Sequence, residues 1–349
     1  MRRTMPGSAA SNPEYEHEHA PMDGDTPVKL RVPAAAALAA ATAATLATLS
    51  SPALASASAA TAAKPAAKPA VKDAATALRV RPLTGAAVFY SYTDRIGIDR
   101  YEPGKGFTRI GTPSDNFEFA ASPDGRKVAW ITPRGEVKVS QSGRVTTIAK
   151  GAVNGGPCLT PTWSPDSRRV AFVNPSKTDA SPVTIVNLDG TGRRKAGVTE
   201  GVCHLTWSGD GRYLAGYAGS ANGVHKLDLQ TGKTVKAKGI AYPTHVQSLS
   251  PNGRNVIVHM VRRGEPQGDG GWPSQFTPTV VDTVTGKKLP IPVKGRLVGA
   301  LYLADGRLVV RVAGRTHNDL VVLDATGKRL QTLTEPAKAK NLGLLQVVR

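Results

Sequence analysis

At 349 residues the chain is long enough for one large domain or two ordinary ones, and 45 Lys and Arg against 26 Asp and Glu leave it at +19. Hydrophobic residues make up 40% and aromatics only 5%, with 36 Gly and 26 Pro. That mix argues against a fold of long helices and for many turns between short strands.

Residues 1–57 read as an N-terminal extension and a secretory signal peptide. The first 21 are polar and acidic, with Glu14, Glu16 and Glu18 interspersed with His17 and His19; they read as an extension without a role, and Met22 as an alternative start. Lys29 and Arg31 form a positive n-region, Pro33 to Leu49 an apolar run, and Ser50-Ser51-Pro52 a helix stop. Ala53-Leu54-Ala55 and Ala55-Ser56-Ala57 then supply the small residues of a cleavage site. The run is short for a span of about 20 apolar residues, so no membrane span is expected after cleavage. Without residues 1–57 the charge becomes +20. Such a chain is drawn to anionic wall polymers, phospholipid headgroups or stray nucleic acid; a solvated basic surface with no specific partner accounts for the same charge. Residues 58–85 form an Ala/Lys/Pro linker. Its stretch Lys64-Pro65-Ala66-Ala67-Lys68-Pro69-Ala70-Val71-Lys72 cannot build a core and favours extended conformations.

From residue 86 short apolar strands alternate with turn residues. One turn recurs as Ser122-Pro123-Asp124-Gly125, Ser164-Pro165-Asp166-Ser167, Ser208-Gly209-Asp210-Gly211 and Ser250-Pro251-Asn252-Gly253, with a degenerate Leu303-Ala304-Asp305-Gly306; the spacings are 42, 44, 42 and 53 residues. Arg126, Arg168, Arg212, Arg254 and Arg307 follow directly. Proline presets φ at the second position, Asp or Asn bonds its own backbone, and glycine takes a positive φ. An apolar strand follows each turn, then a third strand such as Val183 to Leu188, a second turn such as Gln230-Thr231-Gly232-Lys233, and a short outer strand. Four strands per roughly 42 residues is the period of a propeller blade. The expectation is an all-β six-bladed β-propeller of four-stranded antiparallel blades over residues 86–349.

Five blades begin near Phe117, Thr160, His204, Val246 and Val298. The sixth has only three strands at residues 86–111, Ala87–Tyr92, Ile96–Tyr101 and Phe107–Ile110. The spare C-terminal strand Leu342 to Val348 is expected to become its inner strand and close the ring, leaving no open edge.

The repeated Ser-Pro-Asp-Gly-Arg, preceded by Trp163 or Trp207 and followed by Val-Ala-Phe, resembles the blade repeat of TolB-type β-propellers. The resemblance implies a non-catalytic role in binding a protein, peptide or envelope partner. The turn itself is scaffold and names no ligand.

Aligned blades place Asn116, Cys158, Cys203, His245 and Leu297 or Val298 at the entrances of the inner strands, around the mouth of the central channel. Cys158 and Cys203 are the only cysteines; in an exported protein they are expected to form a disulfide. A long insertion at residues 262–278 lies between the second and third strands of the fifth blade, the one beginning near Val246, on the same face as His245. Long loops on rigid scaffolds often carry binding. Arg262, Arg263, Glu265, Asp269 and Trp272, with His204 and His245, are the candidate binding residues. Trp272 is the leading contact, with capping of the channel as the equal alternative.

Trp130, Trp163 and Trp207 are expected in inter-blade core, and His225, His259 and His317 receive no role. No nucleophile elbow, His-Glu-x-x-His or phosphate loop is present. Glu118 and Glu200 are the nearest carboxylates to the mouth. A channel-mouth enzyme of lactonase, sugar dehydrogenase or lyase type is the alternative reading. No catalytic residue, metal, cofactor or specific nucleic acid is expected, and the protein is expected to be a secreted monomer.

Overall fold

Strands of period two separated by tight turns can bury a face only against another sheet, and this chain repeats that solution around a ring. The computed structural model describes residues 81–92, 95–113, 118–261, 263 and 270–349, all within the unit Thr76–Arg349. The expected signal peptide and linker therefore lie outside the described residues, apart from residues 81–85.

Blade 1 contains β1 (Ala87–Tyr92), β2 (Ile96–Glu102) and β3 (Gly106–Gly111), and blade 2 contains β4 (Phe119–Ala121), β5 (Lys127–Ile131), β6 (Glu136–Gln141) and β7 (Arg144–Lys150). Blade 3 is β8 (Thr162–Trp163), β9 (Arg169–Val173), β10 (Ser181–Asn187) and β11 (Arg194–Thr199). Blade 4 is β12 (Gly201–Trp207), β13 (Tyr213–Ala218), β14 (Val224–Asp228) and β15 (Thr234–Lys236). Blade 5 is β16 (Pro243–Leu249), β17 (Asn255–Met260), β18 (Thr279–Asp282) and β19 (Lys288–Leu289). Blade 6 is β20 (Leu297–Tyr302), β21 (Leu308–Ala313), β22 (Asn318–Leu323) and β23 (Arg329–Thr334), and β24 (Gly343–Val347) follows a short 3-10 turn. Among the described residues these strands make six four-stranded antiparallel sheets, a six-bladed propeller.

Blade 1 draws its inner strand from the far end of the chain. β24 lies antiparallel to β1, with Ala87 opposite Val347 and Tyr90 opposite Gly343, and Val348 N–H donates to Ala86 O at 2.8 Å. The closure is the expected one. Most inner strands begin within a few residues of expectation. β12 and β16 start three residues early because bulges at Cys203 and His245 let them continue upstream.

The recurrent turn is held by its serine. The Ser122 hydroxyl donates to Asp124 Oδ1 at 2.5 Å and accepts from Lys127 N–H at 3.0 Å, so it bridges the turn to the next strand. Ser164, Ser208 and Ser250 repeat both bonds. The Asp or Asn oxygen also accepts from the amide of the following arginine, 3.0 Å at Arg126 and 2.9 Å at Arg212. Trp130, Trp163 and Trp207 are buried in the core between blades, as expected. Trp163 Nε1–H also reaches across to Ala120 O in blade 2, at 3.0 Å.

Candidate functional site

A ring of sheets leaves a central channel, and its chemistry is set by the inner strands. Here the channel encloses about 900 Å³, including the part open to solvent. Its wall presents Thr162, Thr206, Gln247, Ser248 and Gln346 among apolar neighbours such as Ala120 and Leu345. One end is bounded by Trp272, the other by the turn residues Pro123, Pro165, Gly209 and Ala304 with exposed Arg349.

The Trp272 end is a built plug. Bulges in β12 and β16 turn His204 and His245 toward the mouth, and His204 takes φ +47°. The Trp272 indole stacks on the His204 ring at 4.8 Å and 9°, and meets His245 edge-on at 5.0 Å. Its Nε1–H donates to Phe119 O at 2.9 Å, and its own carbonyl accepts from the Tyr90 hydroxyl at 2.6 Å. Phe276 closes the far side of His245 at 4.8 Å. Trp272 is 9% exposed, His204 0% and His245 1%. The structure thus brings Trp272, His204 and His245 together, in contact with one another more than with solvent.

Hydrogen bonds link the rings of the plug. His204 Nε2 lies 2.8 Å from Gly270 O and therefore carries the hydrogen. His204 Nδ1 and His245 Nδ1 are 2.7 Å apart, and His245 Nε2 lies 2.7 Å from Gln247 Oε1. Burial, reinforced by the adjacent His204, holds His245 well below the usual histidine range.

The Cys158 and Cys203 sulfurs are bonded, with Cα atoms 4.6 Å apart and 45 positions between them. The bridge ties the loop entering blade 3 to blade 4, and Cys158 O also accepts from His204 N–H at 2.7 Å. Gly270 packs on this bridge: a Cβ there would sit 3.1 Å from Cys158 Cβ, and its φ is +80°. Glycine takes this left-handed conformation without strain and leaves room against the bridge.

Arg263 is exposed. Arg262, Glu265, Asp269 and Asn116 lie outside the described residues. The two carboxylates nearest the mouth do different things. Glu118 is buried in blade 2, with Oε1 accepting from Gly156 N–H at 3.2 Å and Oε2 without a partner. Burial raises it to about 7 against the pull of the Gly155 and Gly156 amides. Glu200 is half exposed and lies 3.6 Å from His225 Nε2. Tyr90, Phe276, Gln247 and Gly270 belong to the plug but carry no one-dimensional signal beyond the Gly-Gly-Trp run of the insertion. Among the described residues no cluster of three or more His, Cys, Asp or Glu could hold a metal, and no helix is long and apolar enough to cross a membrane.

No family model matches the chain. A 73-residue stretch is 38% identical to the Tol-Pal system protein TolB of Alcanivorax borkumensis; it covers 21% of this chain and 16% of that protein. Similar solved structures include TolB from Acinetobacter baumannii, with TM-score 0.49, 14% identity and coverage of 76% of this chain and 67% of that one. A chain of the nidogen/laminin complex matches with TM-score 0.45, 12% identity and coverage of 74% and 96%. With its repeated serine turns and its six closed blades the chain is a six-bladed β-propeller, and its sequence is similar to TolB over that 73-residue stretch.

Proposed function

We propose that the protein is a non-catalytic binding module of the cell envelope, which holds a protein, peptide or anionic polymer on one face of the propeller. The observation that carries this reading is the plug. A channel-mouth enzyme needs convergent polar groups around an open mouth. Here the insertion-side mouth is filled by Trp272, and both histidines are committed to hydrogen bonds. The contact role is assigned to the remainder of the insertion, with Arg262, Arg263, Glu265 and Asp269, because long loops on rigid scaffolds often carry binding. The disulfide supports a place outside the reducing cytosol.

The test is capture from a solubilised envelope fraction by the full chain and by a variant lacking 264–269, which leaves Trp272 in place. The full chain is expected to retain a defined partner at raised salt, and the deletion to lose it. Equal capture by both, or sticking that salt abolishes in both, would overturn the assignment to this loop.

A further inference from the structure

The face opposite the insertion carries a second feature. Successive strands of each blade run antiparallel, so first-to-second and third-to-fourth connections share one face, and second-to-third connections share the other. Every first turn on the former face ends in an arginine. In blade 4, Tyr213 pairs across the sheet with Asp228, and Arg212 reaches that carboxylate at 2.7 Å. In blade 5, Asn255 pairs with Asp282, and Arg254 reaches it at 2.8 Å. Blade 6 pairs Arg307 with Asp305 at 2.8 Å.

Blades 2 and 3 break this pattern. The same cross-strand positions hold Gln141 and Asn187, which are uncharged amides. Arg126 and Arg168 are exposed, and neither has an ion pair among the described residues. The acids beside them are already engaged: Asp124 by Lys127, Asp166 by Arg169 at 3.9 Å, and Asp189 by its own turn through Thr191. Arg144 and Arg194 open the outer strands of the same two blades and are also exposed and unpaired among the described residues.

We infer that Arg126, Arg144, Arg168 and Arg194 form a binding site for a linear phosphate-bearing polyanion on the turn face of blades 2 and 3. A guanidinium presents a planar fork matched to phosphate oxygens. Single exposed charges hold little, so a ligand must engage several at once, which a polymer does. A protein partner needs an apolar anchor. Among the described residues the exposed large apolar side chains of these two blades are Val145, next to Arg144, and Val198, and neither is the large aromatic that anchors such interfaces. Stacking of bases needs exposed aromatic rings, and the one large exposed aromatic among the described residues is Tyr92, in blade 1. The site lies on the face opposite the insertion, so deletion of 264–269 leaves it intact and the two readings fail separately.

The experiment titrates fluorescently labelled linear inorganic polyphosphate against the full chain over a series of salt concentrations. The variants are Arg126→Gln/Arg168→Gln, Arg144→Gln/Arg194→Gln, and Arg134→Gln/Lys177→Gln, the last removing the same charge from the opposite face of the same blades. Either turn-face pair is expected to weaken binding about tenfold near physiological salt and to lower the salt slope by about 1–2, since each lost phosphate contact removes most of one released counterion. The opposite-face pair should leave both unchanged, and thermal melts should confirm that all three fold. Equal weakening by every pair would reduce the effect to net charge and overturn the site. No binding by the parent chain would do the same. If poly-L-glutamate bound as tightly through the same arginines, the surface would be one for acidic proteins and the phosphate assignment would fall.

Discussion

Two buried groups near the plug make the protein's stability depend on pH in opposite senses. Glu118 is raised to about 7, above its ordinary 4.5, by burial. The native state therefore holds a proton that the unfolded chain has released, and stability falls as pH rises from about 4.5 to about 7. His245 is depressed, so the unfolded chain takes up its proton first, and stability falls as pH drops below about 6.5. Glu118→Gln removes the first effect while keeping an oxygen for the Gly156 amide. It is expected to raise the melting temperature at pH 8, where it relieves roughly 1–3 kcal/mol, and to change little at pH 4.5. An unaltered pH profile in differential scanning calorimetry would contradict a buried carboxylate whose Oε2 has no partner. Trp272→Ala should cost about 3–5 kcal/mol by denaturant unfolding, because it empties the plug and orphans the Phe119 carbonyl and His204 stack.

At the scale of the element, the repeated turn is tuned blade by blade. Three copies place proline second, and blade 4 has Gly209. A Cβ at Gly209 would lie 2.6 Å from Ala304 Cα, in blade 6. Turns from non-adjacent blades therefore converge at this end of the channel, and one of them must lack a side chain. Gly209→Pro would match the other blades and, by turn chemistry alone, should stabilise. We expect the reverse, a loss of roughly 1–3 kcal/mol from the forced overlap, measured by urea unfolding against the parent chain. The same turns carry two of the arginines of the phosphate-site proposal, Arg126 and Arg168. In blades 2 to 5 one cross-strand residue decides whether the turn arginine is neutralised, Asp in blades 4 and 5 and an amide in blades 2 and 3; in blade 6 the turn's own Asp305 pairs with Arg307.

For the whole molecule, closure depends on β24 and on the buried pair that positions it. Arg311 and Glu335 are each about 1% exposed and 2.7 Å apart. Arg311 also donates to Leu342 O and Ala339 O, both at 2.8 Å, which holds the segment leading into β24. Asn318 donates to the same carboxylate at 3.0 Å. Deleting residues 341–349 exposes β1 as an edge and strands this pair in the interior, so the melting temperature should fall by well over 10 °C or the ring should fail to close. Glu335→Gln tests the latch alone. Loss of one partner of a buried pair is expected to cost about 3–5 kcal/mol, read from the same melts, and a neutral result would assign closure to strand pairing by itself.

The blade count, the four-strand unit and the C-terminal closure were legible in the chain because turn chemistry is local. Ser-Pro-Asp-Gly specifies its own backbone geometry, and period-two apolar runs specify a buried face, wherever they fall. The Cys158–Cys203 pair was legible for a related reason: equivalent positions in neighbouring repeats are neighbours in space. What Trp272 does was not. Its neighbours His204, His245, Phe119 and Tyr90 come from four blades, and whether it faces solvent or the channel depends on how the insertion folds back over Gly270. Nor could the chain alone distinguish a neutralised arginine from a bare one, since register across the sheet decides which residue faces it. Local propensity determined the ring; only three-dimensional packing decided which mouth is plugged and where uncompensated charge remains.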